Sequence, residues 1–411
     1  LWRTETSGTK VSIYSRNNNN NNNTNMTKIA ALQATFNDAS DKYHIESLFS
    51  IPEKIYVNCL LDLTQNIKVV GTDHGLYSHY NDLLLHIEGP TEVQHICVIP
   101  ESNIVVMIAN LTGVLISCDL NHLINLTQCA PCTKPVLKHQ SISVKNLDGF
   151  HYLHASTYSK HQMFCAATSK HLVIVKYELE AGEFVPLRIM DTAEPLGCAL
   201  FTEHSLIVGA DKFFEIDLSD FKAEEFLDSS DLRLKHAVKC HKMQSFPLAI
   251  VAVADNPKEF LLCFNEFSVF VDEYGRCSRP KEIKTSYLPI GFHFIRPFLY
   301  VVQFSGVEIM KLGQGDEDSR NAVVELKKMR YLGRNKVGIF VFHDGKVKLL
   351  EGRKLVEGDD GTSVCPSTEE GEESNRFSFT SSIVQSLDGN LSDESSVEDN
   401  TKRVKFSQTN L

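Results

Sequence analysis

The chain has 411 residues, is 42% hydrophobic and 9% aromatic, and carries a formal net charge of −11, a composition typical of a folded globular protein. No run of about 18 apolar residues is present, which excludes a helical membrane span, and no charged-then-apolar leader argues for secretion. The charge is local: residues 357–400 hold twelve acids and one base, residues 401–411 carry +3, and residues 1–356 are left at −3, with no basic stripe of the kind nucleic acid requires.

Taken in chain order, residues 1–48 are polar and include the run Asn17 to Asn23. They read as a disordered linker, because so little apolar surface cannot offset the entropy of ordering. The chain starts at Leu1 rather than Met, which reads as a piece of a longer protein. Residues 49–356 form the folded body. Residues 357–411, rich in Ser, Glu, Asp and Gly, read as a second disordered segment.

The body is built from short β-branched and aromatic runs punctuated by Gly, Asn and Asp, the pattern of an all-β protein. One unit recurs, an apolar run, a tight polar turn and a second alternating run. It occurs at 69–80, 107–120, 166–179, 207–218, 261–275, 300–312 and 339–350. With His74, Thr112, Lys170, Asp211, Glu266, Ser305 and Asp344 as turn markers, the spacings are 38, 58, 41, 55, 39 and 39 residues. Four of them approach the length of a four-stranded propeller blade, and the two long ones place inserted loops at 121–150 and 219–246. Seven units that cannot bury their faces alone predict a seven-bladed β-propeller. Tryptophan occurs only at Trp2, so this is not a propeller of the Trp-Asp repeat type.

The stretch from Phe213 to Asp231 begins as the return strand of the fourth hairpin, with Phe214, Ile216 and Leu218 on one face. Beyond it a short helix is expected, with Phe221, Phe226 and Leu227 packed down and Glu224, Glu225 and Asp228 facing water. No His or Cys stands among these acids, and the Gly-centred loop that Ca²⁺ requires is missing.

Residues 259–312, supported by KFFEIDLSDFKAEEFLD from Lys212, VVGTDHGLY from Val69 and RYLG at 330–333, resemble the signature of the citron homology (CNH) domain. The likeness spans about residues 50–350. It is nearer to the version at the C-terminal end of citron-type Rho-interacting kinases than to those of germinal-centre-type kinases, Rho exchange factors or vesicle-tethering proteins. Thr285 stands where family members commonly carry Trp, and Ser268 where an NEFG-like turn has Gly.

The resemblance implies a cytoplasmic, Rho-linked protein of cytokinesis, acting at the cleavage furrow and midbody, whose kinase domain lies outside this chain. It implies Rho-family small GTPases and cytokinetic scaffold or motor proteins as partners. The alternatives are a propeller enzyme with a site in its central channel, or a CNH domain of a germinal-centre-type kinase, a Rho exchange factor or a vesicle-tethering protein.

Sequence chemistry is sparse. The phosphate-gripping loop, catalytic Asp loop and metal-binding Asp motif of a protein kinase are missing. Eleven cysteines spread over the chain read as reduced thiols of the cytosol or nucleus. Cys129 and Cys132 have the spacing of half a zinc site, but no second pair follows at matching distance, and Cys118, His122 and His139 could join them only through the fold. The sequons at Asn110, Asn125 and Asn390 read as chance in an Asn-rich chain. No catalytic, cofactor-binding or metal-ligating residue is assigned.

Two motifs lie near the end. Lys402, Arg403, Val404 and Phe406 resemble the RVxF docking motif for protein phosphatase type 1, in which alternate apolar side chains of an added strand fill two pockets. Thr409 and Leu411 match a class I PDZ ligand, with the terminal carboxylate held by backbone N–H groups. Ser392, Ser395 and Ser396 sit among acids as candidate phosphorylation sites.

Overall fold

Each of the seven apolar hairpins forms the second and third strands of its own antiparallel sheet, and all seven turn markers lie in the turns between them. The computed structural model describes residues 43–353, apart from residues 65, 130–133, 146, 241–244, 286 and 314–321. The sheets follow one another as blades at residues 57–87, 95–141, 152–191, 198–225, 247–272, 289–325 and 330–352. The first strands of neighbouring blades pack around a central axis. The fold is a seven-bladed β-propeller.

The middle strands are mostly apolar because each blade is sandwiched between two others, with a few buried polar residues such as Lys68, Thr72, Gln303 and Glu308. Strands Ile67–Thr72 and Ile104–Ala109 are buried at every position. The second reads as a continuous apolar run rather than as alternation, while the first keeps Lys68 and Thr72 within it. Seven separate cores result. Val69 packs toward the second blade and its neighbour Val70 toward the seventh. Leu261 faces the sixth blade and Leu262 the fourth. Successive side chains of one strand thus belong to different cores, as the two-residue period of a strand requires.

The ring is closed by the strand Tyr43–Ser50, which pairs antiparallel with Lys346–Gly352 as the outermost strand of the seventh blade. It begins six residues before the expected 48/49 boundary and so lies mostly within the segment read as linker. Its residues are half-buried or exposed, without a clean alternation, because one face of an outer strand meets solvent. Phe49 anchors it by stacking on His79, with ring centroids 4.1 Å apart.

The expected helix after the fourth hairpin is corrected. Residues Ala223–Glu225 form the outer strand of that blade, paired with Phe214, Glu215 and Ile216. A helix there would leave the edge of Phe213–Asp217 without partners. Helical structure comes later, as a turn at Leu232–Leu234 and a short helix Lys235–Val238. The side-chain directions hold in part: Phe226 and Leu227 are buried, and Glu224 and Glu225 are exposed. Phe214, Ile216 and Leu218 do share one face, packed toward the third blade.

The 121–150 insertion carries a helix, Leu120–Thr127, capped by Asp119 through its bond from the His122 N–H (2.6 Å), and a two-residue outer strand, Gln140–Ser141. The fifth blade has three regular strands. Its outer edge is covered by an irregular run that touches it at Val271–Cys277 and Ser268–Ile283. No described helix is long and apolar enough to cross a membrane.

Candidate interaction surface

In a blade of four antiparallel strands, the turn between strands two and three lies at the same end as the connection to the next blade. All seven hairpin turns and all inter-blade connections therefore gather on one face of the ring, which we call the upper face. The insertion after the fourth blade leaves and rejoins the ring at this face.

The acids of that insertion do more than meet water. Asp228 accepts from the Ser230 hydroxyl (2.6 Å) and from Arg276 (3.1 Å). Asp231 accepts from Arg233 (2.7 Å) and from the backbone N–H of Cys277 (3.0 Å). The hydrogen bond from the Arg233 guanidinium, with that backbone donor, holds the Asp231 carboxyl well below the usual carboxylate range. Glu225 pairs with Lys212. Gly275, at φ +71°, lets the chain pass: a Cβ there would come within 1.8 Å of the Phe226 carbonyl oxygen. Asp228 and Asp231 thus fasten the insertion onto the outer edge of the fifth blade. Sequence reasoning missed this, because the partners Arg276 and Cys277 lie more than 45 residues away in the chain.

The innermost strands bring aromatic rings near the Arg334 side chain. His293 of the sixth blade stacks on Tyr331 of the seventh, with centroids 3.9 Å apart and planes 10° from parallel. His154 of the third blade stacks more loosely on Phe201. Burial, reinforced by the Arg334 guanidinium, pushes His293 down to about 3 and His154 down to about 4. Burial raises Tyr331 well above the usual phenol range, against the influence of Arg334. At neutral pH these imidazoles are uncharged and too weakly basic to serve as efficient general bases.

The inserted loops assemble no metal centre among the described residues. The Cys118 thiol is buried, and burial raises it to about 12. His122 accepts from the Lys138 backbone N–H, and the His139 ring meets the Leu137 carbonyl. Cys129 lies against the Asn125 carbonyl (3.6 Å), and Cys132 is outside the described residues. The remaining candidates, Lys402, Arg403, Val404, Phe406, Thr409 and Leu411, also lie outside them.

The position just before each first strand rings the upper mouth of the channel. It holds Tyr56, Gln94, His151, Gly197, Phe246, Leu288 and Met329 in blade order. Tyr56 is covered by the Arg330 guanidinium, 3.3 Å above its ring. Phe246 and Leu288 stand open to solvent, and Met329 turns into the core between the sixth and seventh blades.

The sequence pattern of the CNH domain matches residues 65–334. The chain belongs to the CNH domain family. The CNH propeller is 32% identical over 288 residues to the human citron Rho-interacting kinase, covering 68% of this chain and 14% of that kinase. It is 33% identical over 289 residues to the citron rho-interacting kinase of Rattus norvegicus, with the same coverage. The chain therefore spans about one seventh of the length of these relatives.

Among solved structures, it resembles the AfRom2 CNH domain with a TM-score of 0.62 at 20% identity, over 76% of this chain and 99% of that one. A streptogramin B lyase shares the architecture with a TM-score of 0.54 at 9% identity, over 77% of this chain and 99% of that one. Both likenesses speak to the fold alone. The matched family is a non-kinase domain, in keeping with the missing kinase motifs.

Proposed function

We propose that this propeller is a non-catalytic, protein-binding regulatory module of a citron-like Rho-interacting serine/threonine kinase. In this reading it scaffolds Rho signalling at the cleavage furrow and midbody during cytokinesis, in the cytoplasm. Its partners are a Rho-family small GTPase and cytokinetic scaffold or motor proteins. The observation that carries the reading is the 32–33% identity to citron kinases over 68% of the chain. The channel supports it too, since the imidazoles at about 3 and about 4 suit packing better than proton transfer at neutral pH.

The test is a pull-down by the 411-residue chain of Rho-type GTPases loaded with GTP analogue or GDP, alongside purified furrow components. Binding of a GTPase or a furrow component is expected. A blank across the whole panel would remove the reading.

The terminal segment adds two further proposals. Lys402, Arg403, Val404 and Phe406 dock protein phosphatase type 1, and Thr409 with Leu411 occupies a PDZ groove. Val404→Ala with Phe406→Ala should abolish the first interaction and spare the second, and Leu411→Ala should do the reverse. Calorimetry with the purified partners reads both.

A further inference from the structure

The upper mouth of the channel is uneven, and the unevenness has a chemical sense. Phe246, Tyr287, Leu288, Ile290 and Phe304 are 43–72% exposed, all at the upper ends of the fifth and sixth blades. The ladder sets two of them opposite each other. Pro289 pairs with Gln303, so Leu288 and Phe304 continue that register one step beyond the last pair. Phe246 occupies the equivalent position on the neighbouring first strand, where its backbone N–H bonds the Asn265 side chain (2.9 Å). Five large apolar side chains exposed at the upper ends of two neighbouring blades point to an interaction site rather than scattered surface.

Lysines border this patch. Lys327 and Lys328 follow Leu326, whose N–H binds the Ser305 carbonyl (3.0 Å) next to Phe304. Lys284 stands three residues before Tyr287, and Lys239 precedes Cys240, whose carbonyl takes the Ser245 N–H (3.1 Å) beside Phe246. All four are exposed, and none makes an ion pair among the described residues. They face two exposed acids, Glu266 and Glu325, and the Ser245 hydroxyl already donates to Glu266 (2.9 Å).

We propose that this part of the rim docks a polypeptide segment that offers two or more large apolar side chains flanked by carboxylates. The inference rests on the protein-binding reading above and specifies its surface and partner chemistry. Apolar anchors supply the affinity, and the lysines select charge and speed the encounter. A peptide fits better than an anionic membrane. The opposite half of the same face mixes the exposed acids Asp148 and Glu194 with the exposed lysines Lys145 and Lys170. The face as a whole thus offers no continuous basic plane for a flat anionic surface, whereas a short segment needs only the local patch.

The test takes the 411-residue chain and a displayed library of random 16-residue peptides. The selected peptides should be rich in Phe, Leu, Asp and Glu. Their affinity should fall at least tenfold with Leu288→Asp and Phe304→Asp, and separately with Lys284→Glu, Lys327→Glu and Lys328→Glu. The charge-reversed chain should instead select basic peptides. Unchanged melting temperatures show that both sets of variants fold.

The proposal is overturned by selected peptides without acidic and apolar bias, or by equal binding to the variants. It is also overturned if the chain sediments with phosphatidylserine vesicles through these residues and selects no peptide. The same variants are tested against the GTPase and furrow panel. Panel binding that survives while peptide selection fails sinks the rim and leaves the module reading intact, whereas a blank in both removes both.

Discussion

The middle strands of each blade and its outermost strand obey different sequence rules. Phe298–Gln303 and Gly306–Lys311 of the sixth blade lie between two neighbours and are almost wholly buried, whereas the outer strand Ala322–Glu325 of the same blade alternates buried and exposed. Stability is therefore concentrated in the apolar sandwiches between blades. The outer strands contribute differently, by covering ladder edges that would otherwise invite pairing with other chains. The closing strand is the extreme case, since it is poor in buried surface yet completes the ring.

The sharpest way to break this comparison is to remove residues 1–50. If outer strands were dispensable, the melting temperature would barely move. The expectation is a loss of roughly 10 °C or more, with concentration-dependent aggregation through the bared edge of Lys346–Gly352, read by calorimetry and light scattering.

Next in size is a matched pair of truncations. Phe340→Ala, at a fully buried position in the seventh blade, should cost about 3–5 kcal/mol. Val323→Ala, 45% exposed on an outer strand, should stay within about 0.5 kcal/mol. Urea melts decide, and equal costs would refute the concentration of stability between blades.

A third pair concerns glycines in the left-handed region. Gly275→Ala must displace the Phe226 carbonyl and should cost about 2 kcal/mol or more. Gly345→Ala, at φ +74° with nothing within 4 Å of a new Cβ, meets the backbone cost alone, about 1 kcal/mol.

The smallest effect is on pH dependence. His293 and His154 sit at about 3 and about 4 in the folded ring, against 6.5 for an ordinary imidazole. The unfolded chain therefore takes up protons first, so their contribution is intact above pH 6.5 and is lost as pH falls toward 4 and then 3. His293→Gln should flatten the stability profile across that window by about 1 kcal/mol, with little change at pH 8.

Much of the fold can be read from the sequence, and the sandwich geometry explains why. A strand buried on both faces, such as Ile104–Ala109, is largely apolar and stands out in the chain. Outer strands such as Gln140–Ser141, Ala223–Glu225 and Tyr43–Ser50 are short, wet or both, and carry no such signature. That is why the expected linker overran the closing strand and a strand in the fourth blade was read as a helix.

The upper rim was hidden for another reason. Phe246, Leu288 and Phe304 are separated in the chain and come to the same part of the rim only because neighbouring blades place equivalent positions at one end of the ring. The pinning of Asp228 and Asp231 to the fifth blade is likewise a product of ring geometry.

The closing strand has a mechanical consequence. Tyr43 is the direct partner of Gly352, so the described chain enters and leaves the propeller at adjacent points. Tension applied between the two flanks does not stretch the ring across its diameter. It loads one rung first, then His44 against Glu351, then Ile45 against Leu350, as a zipper opens from its end. Phe49, stacked on His79, lies near the far end of that zipper and acts as its stop. The weakest direction of the propeller is thus along its own attachments, and a pull there would peel the seventh blade open before disturbing the other six.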